Sequence, residues 1–454
     1  MIRTACLLLA FVIFCGNMVA AADPASRSDQ CVILISIDGL SHAYLADPRA
    51  ELPTIRELAR QGAQADGGMV ASFPTVTWPN HTTLVTGVTP ARHGVLGNNY
   101  LDRETAKSVT LITDPVYDKE DVVKVPTVYD AAADAGLKTA GIVWPATRNA
   151  KNLHWNVPDM GRSDDWPRYA TPDWLTELRA AGLPVDKHSV WCKEPSGGVQ
   201  RDWLYTRLLA HVWKHHQPNL ILIHLVEVDH VEHKFGPNSP EAYWAVSYAD
   251  DRVRDIVETV RQSDRADRTT IIVASDHGFF PINRSIRPNL LFKKQVDANG
   301  AAAVRCVSQG GACMVYLLDS RRKEELTQQV REQLLDVEGV ERVYTPDQFD
   351  QIGQASPAVD SRAPDLWVAA RSGYSFSDSS EGDIVVVPQR EGGTHGYRPE
   401  HDELLAMLVL SGEAIRPGTK LGRVSNLDVA PTIAALLGVA LPAIDGQPLN
   451  AALK

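Results

Sequence analysis

Three aspartates of this sequence stand where the side chains of a parallel sheet can gather around a ligand. Asp38, Asp229 and Asp276 each follow a short apolar run rich in β-branched residues, the pattern of a buried strand. In open α/β sheets, ligands bind just beyond the carboxyl ends of the strands. A lone aspartate at such a point is usually a helix N-cap, so the prediction rests on all three together. We therefore expect these carboxylates to meet at one edge of a sheet.

Three histidines are spaced so that they can join those carboxylates. His233 lies four residues after Asp229, and positions i and i+4 share one face of a helix. His277 directly follows Asp276, and His395 lies in the glycine-rich stretch 392–396, where missing side chains let the backbone approach a site closely. Carboxylates and imidazoles are ligands that suit zinc. The pattern therefore predicts a metal centre.

The elements that must position these residues alternate between strands and helices. Apolar runs at 32–37, 140–144, 220–225, 270–274 and 405–410 predict strands, and helices are predicted between them, among them 52–61, 127–135 and 243–262. This alternation indicates an α/β fold with a doubly wound, mixed but mostly parallel sheet. Residues 284–389 break the rhythm and predict a small inserted α+β cap. The catalytic domain would then comprise residues 23–283 and 390–454.

Composition excludes some classes of partner. The chain has 454 residues and a formal net charge of −11, without a basic run that would track a nucleic-acid backbone. Polymeric nucleic acid is therefore not expected. A small anionic substrate remains compatible with this charge, because bound metal ions reverse the local potential. Oligomeric state stays open.

The N-terminus has the pattern of a secretory signal peptide. Residues 1–22 contain an early arginine, a short apolar run and three consecutive alanines, which predicts cleavage and a secreted or periplasmic protein. No transmembrane segment is expected, and the bulky Phe14 before Cys15 disfavours lipid anchoring. Four cysteines remain after cleavage, at positions 31, 192, 306 and 313. The turn-rich stretch between Cys306 and Cys313 suits a local disulfide, although sequence leaves the pairing open.

One segment carries a family resemblance. Residues 72–87 read SFPTVTWPNHTTLVTG and are followed by His93-Gly94 and Asn98. This segment resembles the nucleophile region of the nucleotide pyrophosphatase/phosphodiesterases, a family of the alkaline phosphatase superfamily. The motifs around the six ligand candidates resemble the same family. Trp78, Val228 and Glu232 depart from its usual residues, so the substrate stays open.

The resemblance implies an alkaline phosphatase-like fold and a two-zinc hydrolase acting on phosphodiester or pyrophosphate bonds of nucleotides or related small esters. One zinc would be held by Asp229, His233 and His395. The second would be held by Asp38, Asp276, His277 and the nucleophile Thr77, which would form a threonyl-phosphate intermediate. Asn98 would stabilise the transition-state oxygen. Two alternatives remain at this point: a phosphomonoesterase of the alkaline phosphatase type, and a catalytically silent binding protein.

Overall fold

The computed structural model describes residues 29–112 and 117–454, so the predicted signal peptide lies outside the described residues. The strands are numbered here in chain order. They are β1 Cys31–Ile37, β2 Ala63–Gln64, β3 Met69–Val70, β4 Asn99–Asp102, β5 Lys107–Thr110, β6 Thr139–Ile142, β7 Trp155–Val157, β8 Leu220–Leu225, β9 Thr269–Ala274, β10 Phe280–Ile286, β11 Val304–Gln309, β12 Ala312–Leu317, β13 Val340–Tyr344, β14 Leu366–Ala370, β15 Gly373–Phe376, β16 Val386–Thr394, β17 Leu408–Ser411, β18 Thr419–Lys420 and β19 Val424–Ser425.

An eight-stranded sheet forms the centre of the fold, in the order β18-β2-β17-β9-β1-β8-β6-β7. From β9 to β7 every neighbouring pair is parallel. The exception is β17, which runs antiparallel to both β9 and β2. The predicted mixed, mostly parallel sheet is therefore confirmed. β1 lies between β8 and β9, and this placement brings the ends of those three strands side by side.

Helices cover both faces of this sheet, as its apolar strands require. The longest are Gly197–His215 and Pro240–Arg261. The others are Ala43–Ala46, Pro53–Gln61, Thr77–Thr86, Pro90–His93, Lys119–Val122, Val128–Asp134, Asp165–Tyr169, Pro172–Ala180, His188–Trp191, Glu227–Phe235, Lys323–Leu335 and Val429–Leu437. Alternate residues of β1 join different cores: Ile33 and Ile35 pack in one, whereas Val32 and Leu34 pack in the other. This alternation is expected of a strand buried on both faces.

The segment predicted as a cap contains an antiparallel sheet of its own, in the order β11-β12-β14-β13. The helix Lys323–Leu335 packs against it through Leu326, Val330 and Leu334. β10, β15 and β16 form a separate three-stranded sheet. The exact limits of the cap, residues 284–389, stay a prediction.

The expected local disulfide is not formed. β11 and β12 make a hairpin that turns at Gly310 and Gly311, and Ser308 stands opposite Cys313 while Cys306 stands opposite Val315. Cys306 and Cys313 are thus on adjacent strands but not directly paired, and both are buried free thiols. The turn is also shorter than the sequence suggested, because most residues between the cysteines belong to the two strands.

One further boundary differs from the sequence-based expectation. The run 405–410 becomes a strand only from Leu408. At the C-terminus, the helix Val429–Leu437 follows a 3-10 turn, Asn426–Asp428. It ends at Gly438, which adopts the left-handed conformation typical of a C-cap, with φ of 66°. Within the two described ranges, no helix combines the length and apolar character needed to cross a membrane.

Candidate metal centre and active site

The candidate ligands lie at the carboxyl ends of the three central strands. Asp38 directly follows β1, and Asp276 lies two residues beyond the end of β9. After β8 ends at Leu225, the helix Glu227–Phe235 carries Asp229 in its first turn and His233 one turn later. Because β8, β1 and β9 are neighbours in one sheet, their ends converge. The structure therefore brings the strand-end aspartates together.

Asp38, Asp276 and His277 form the first ligand cluster. Their ligand atoms all lie within 4.8 Å of one another. His277 Nε2 is 3.2 Å from Asp276 Oδ2 and 3.5 Å from Asp38 Oδ1. All three residues are buried. The separations suit a small cation held between the three atoms.

Asp229, His233 and His395 form the second cluster, again with all ligand atoms within 4.8 Å. His233 Nε2 and His395 Nε2 are 3.1 Å apart, and they lie 3.4 Å and 3.5 Å from Asp229 Oδ1. His233 is the most exposed of the candidate ligands, with 41% of its side chain accessible. This cluster is therefore the one open to solvent.

The two clusters adjoin each other. The rings of His277 and His395, which belong to different clusters, stack with centroids 3.8 Å apart and planes inclined by 15°. The backbone N–H of Gly39 donates to Asp276 Oδ1 at 3.1 Å and links the end of β1 to the end of β9. All six candidate ligands thus face a common space.

The three imidazoles are held in an orientation that leaves one ring nitrogen for a metal. His277, His233 and His395 each place Nδ1 against a backbone carbonyl, at 3.2, 3.1 and 2.9 Å respectively. A proton on Nδ1 leaves the lone pair on Nε2, the atom that faces the clusters. Metal-bound histidines in proteins are commonly fixed in this way.

Several ligand atoms are buried without a hydrogen-bond partner among residues 29–112 and 117–454. They are Asp38 Oδ1, Asp276 Oδ2, His277 Nε2 and Asp229 Oδ1. Leaving a buried polar atom unsatisfied costs about 1–3 kcal/mol, and more when it is charged. Such a concentration of unpaired acceptor atoms fits divalent cations, which would satisfy all four. The donor set of three carboxylates and three imidazoles also matches zinc.

Without a bound cation, the protein environment disfavours negative charge on Asp38 and Asp276. Burial raises the pKa of Asp38 well above its ordinary value, and the Asp229 carboxylate raises it further. Burial and the Asp38 carboxylate do the same to the pKa of Asp276. Burial opposes ionisation of Asp229 too, but the adjacent His233 lowers its pKa below the usual value. Bound cations would relieve the repulsion between the carboxylates.

Thr77 and Asn98, the predicted catalytic residues, lie next to each other. Thr77 is the first residue of the helix Thr77–Thr86, where the helix dipole favours negative charge. Its carbonyl accepts a hydrogen bond from His81 Nδ1 at 2.9 Å, and that nitrogen is 3.5 Å from Asp276 Oδ2. Asn98 Oδ1 accepts from the backbone N–H of Trp78 at 2.9 Å. One histidine thus links the threonine to the first cluster.

Sequence reasoning did not find one residue that positions Asn98. Gln309, at the end of β11, accepts from the backbone N–H of Asn98 at 2.9 Å and donates to the carbonyl of Asn99 at 3.0 Å. A strand of the cap region therefore fixes the loop that carries Asn98. No motif surrounds Gln309, so only the tertiary contact reveals it.

Other supporting residues are histidines and acids near the ligands. His224 Nε2 donates to Asp38 Oδ2 at 3.0 Å, a contact that orients this ligand carboxylate. Glu232, where the sequence departs from the family pattern, accepts from the Tyr44 hydroxyl at 2.6 Å and is fully buried. Burial raises the pKa of Glu232 to about 8. Glu232 is part of the helix Glu227–Phe235 that carries Asp229 and His233, and its hydrogen bond ties that helix to Tyr44.

The glycines before His395 allow a close approach, as the sequence suggested. They lie at the end of β16, which packs against the helix Glu227–Phe235. A Cβ atom on Gly392 would lie 2.6 Å from the carbonyl oxygen of His233, and one on Gly393 would lie 2.6 Å from that of Glu232. Only glycine lets this strand bring His395 beside His233.

Comparison with known proteins gives a consistent result. Residues 32–398 match the family described as Type I phosphodiesterase / nucleotide pyrophosphatase. An uncharacterised pyrophosphatase/phosphodiesterase of Schizosaccharomyces pombe is 26% identical over 92% of this chain and 78% of its own length. The bis(5'-adenosyl)-triphosphatase enpp4 of Xenopus laevis is 22% identical over 98% of this chain and 84% of its own.

Among solved structures, an inactive threonine-to-alanine variant of murine ectonucleotide pyrophosphatase/phosphodiesterase 5, in complex with AMP, has the same fold. It superposes with a TM-score of 0.70 at 19% identity, covering 94% of this chain and all of the murine chain. A central α/β sheet with adjoining clusters of candidate metal ligands at its strand ends is compatible with a metal-dependent hydrolase. The chain belongs to the Type I phosphodiesterase / nucleotide pyrophosphatase family and is a hydrolase of that type.

Proposed function

We propose that the enzyme is a two-zinc phosphodiesterase that cleaves phosphodiester or pyrophosphate bonds of nucleotides or related small esters. The observation that carries this proposal is the pair of adjoining ligand clusters, in which four buried atoms have no hydrogen-bond partner in the described part of the chain. Each cluster offers a donor set suited to zinc. The predicted nucleophile begins a helix beside the first cluster.

In the proposed site, Asp229, His233 and His395 would hold one ion. Asp38, Asp276 and His277 would hold the other, together with the Thr77 oxygen. Zinc would supply Lewis acidity that lowers the pKa of the threonine hydroxyl and neutralises charge on the reacting phosphate. Two divalent ions outweigh the three aspartate carboxylates by one unit of charge. An anionic phosphodiester therefore suits the site.

Residues of the protein supply the nucleophile and stabilise the charges that develop during the proposed reaction. Thr77 attacks phosphorus and forms a threonyl-phosphate intermediate while the alcohol or phosphate leaving group departs, and water hydrolyses the intermediate in a second step. The N-terminus of the helix Thr77–Thr86 favours the threonine oxygen as an anion. Asn98 donates its amide N–H to a nonbridging phosphate oxygen, because its Oδ1 is engaged by Trp78.

Relatives support a nucleotide substrate. The murine structure holds AMP, and the Xenopus relative is a bis(5'-adenosyl)-triphosphatase. Beside the ligand helix, a cavity of about 430 Å³ is lined by Asp159, Arg201 and His230 among others. Asp159 accepts from the Trp78 indole N–H at 3.3 Å, so this cavity adjoins the nucleophile segment. It offers room for part of a small ester.

We also propose that the enzyme acts outside the cytoplasm, as the signal-peptide pattern of residues 1–22 predicts. N-terminal sequencing of the protein purified from its native host would test this. A mature chain beginning near Asp23 supports export, whereas a retained N-terminus contradicts it.

The catalytic proposal is tested with Thr77→Ala and Thr77→Ser. Thr77→Ala should lose turnover completely while keeping its zinc, because the six other ligands remain. Thr77→Ser is the matched control, since it keeps a hydroxyl and should retain measurable turnover. Metal analysis of each variant accompanies the rates. Near-normal turnover of Thr77→Ala would refute the assignment of the nucleophile.

Substrate class is tested with two nitrophenyl esters. The proposal expects a higher kcat/KM for the nitrophenyl ester of thymidine monophosphate than for nitrophenyl phosphate. The opposite order would favour a phosphomonoesterase of the alkaline phosphatase type. Chelator controls establish that both rates depend on bound metal.

A further inference from the structure

A third group of potential metal ligands lies far from the catalytic centre. It consists of Glu177 on the helix Pro172–Ala180, His211 near the end of the helix Gly197–His215, and His216 directly after that helix. The chain runs from His216 into the amino end of β8. The catalytic ligands lie at the carboxyl ends of the strands, so this group is at the opposite end of the sheet.

The three side chains converge closely. Glu177 Oε1 is 2.6 Å from His211 Nε2, and Glu177 Oε2 is 2.8 Å from His216 Nε2. One ligand atom from each residue lies within 4.8 Å of the others. The side chains are 36%, 12% and 23% exposed, in the order Glu177, His211 and His216, so an ion can enter from solvent.

Neighbouring rings restrict the two imidazoles. Trp155, the first residue of β7, stacks on His216 with ring centroids 4.5 Å apart and planes inclined by 24°. This stacking holds the His216 ring and reduces the entropy lost on binding. The ring of His215 lies 4.4 Å from that of His211. The fourth coordination position would be left to water.

We propose that Glu177, His211 and His216 bind one divalent ion of the zinc class, separate from the catalytic ions. Two imidazoles and one carboxylate form a donor set that zinc uses in proteins, with a fourth position open. Nitrogen donors select zinc, copper or nickel over magnesium and calcium. The ion joins the helix Pro172–Ala180 to the end of the helix Gly197–His215, so its role is to stabilise this side of the domain.

The competing explanation is an ordinary ion pair in which one carboxylate serves two histidines. The chain offers a matched control for it. His401 Nε2 lies 3.3 Å from Glu341 Oε2, also at the surface, but that carboxylate has a single imidazole and an arginine as partners. His401→Ala therefore removes a surface histidine–carboxylate pair without removing a metal site.

The experiment counts zinc in untagged protein after equilibration with defined free zinc and removal of excess. Glu177→Gln and His216→Ala should each contain one zinc fewer than wild type, whereas His401→Ala should match wild type. Added zinc should raise the Tm of wild type more than that of Glu177→Gln. Equal zinc content in wild type and Glu177→Gln would overturn the proposal.

A second background separates this site from the catalytic one. In the double variant Asp229→Ala/His395→Ala, zinc that depends on Glu177 should persist although catalytic ligands are missing. Loss of the Glu177-dependent ion in that background would contradict an independent site. Glu177→Gln should hydrolyse the nitrophenyl ester at the wild-type rate. The zinc count does not depend on catalysis, so this test can be interpreted even if the catalytic proposal fails.

Discussion

Replacing Asn98 by alanine tests how the proposed transition state is stabilised. Asn98 Oδ1 is engaged by the backbone N–H of Trp78 at 2.9 Å, so its amide N–H₂ is the group left to meet a phosphate oxygen. Losing one donor to a developing oxyanion typically costs ~3–4 kcal/mol, or about 10²–10³ in kcat. We expect Asn98→Ala to fall in that range with its zinc content unchanged, because Asn98 is not among the ligands.

Gln309→Ala provides a graded comparison. Gln309 holds the Asn98 loop through hydrogen bonds of 2.9 and 3.0 Å to its backbone, and the proposed mechanism gives it no direct role in the reaction. A neutral hydrogen bond contributes about 1 kcal/mol, which corresponds to roughly fivefold in rate if it acts wholly through positioning. The expected order of kcat is therefore wild type, then Gln309→Ala, then Asn98→Ala.

The assay measures kcat and KM with the nitrophenyl ester of thymidine monophosphate at saturating zinc. Bound metal is quantified for each variant, so that a lost ion is not mistaken for a lost donor. A kcat for Asn98→Ala within threefold of wild type would refute the role of Asn98. A larger loss in Gln309→Ala than in Asn98→Ala would show that loop folding, not the amide donor, controls the rate.

Three further predictions concern stability and the ligand geometry. Chelation should lower the Tm, and added zinc should restore it, because an ion that binds only the native state contributes about 2.7 kcal/mol at one hundred times its Kd. Gly393→Ala should reduce metal content, since its Cβ would lie 2.6 Å from a backbone oxygen of the ligand helix. Burial lowers the pKa of His188 to about 3 in the folded state. As the pH drops from about 6.5 towards 3, the unfolded state therefore binds a proton that the folded state does not, and the free energy of unfolding falls. His188→Gln should flatten that dependence of unfolding free energy by up to about 1.4 kcal/mol per pH unit, measured by urea denaturation, and an unchanged slope would contradict it.

The strand-end aspartates were predictable because local sequence encodes them directly. An apolar β-branched run identifies a buried strand, and the first polar residue after it marks the sheet edge where ligands bind. Asp38 follows this rule directly, and Asp276 comes one residue later, after Ser275. The i,i+4 spacing placed His233 on the face of Asp229, and the helix Glu227–Phe235 has that geometry.

The role of Gln309 and the absence of the expected disulfide depend on tertiary contacts, which local sequence patterns do not reveal. Gln309 is 211 residues from Asn98, and nothing in its own strand distinguishes it from any other polar residue there. The expected disulfide failed for a related reason. Cys306 and Cys313 bracket a turn, but the strands of the hairpin extend so far that each cysteine faces a different residue of the other strand.

The buried ligand atoms that favour metal binding also destabilise the folded protein when no metal is bound. Four ligand atoms are buried without a hydrogen-bond partner among the described residues, and burial raises the pKa values of Asp38 and Asp276. A core without a metal role would satisfy such atoms with donors from the protein. The fold instead orients three imidazoles through their Nδ1 atoms and leaves one oxygen of each aspartate for a cation. Binding energy from that cation would offset the cost that a charged, buried hydrolytic site imposes on folding.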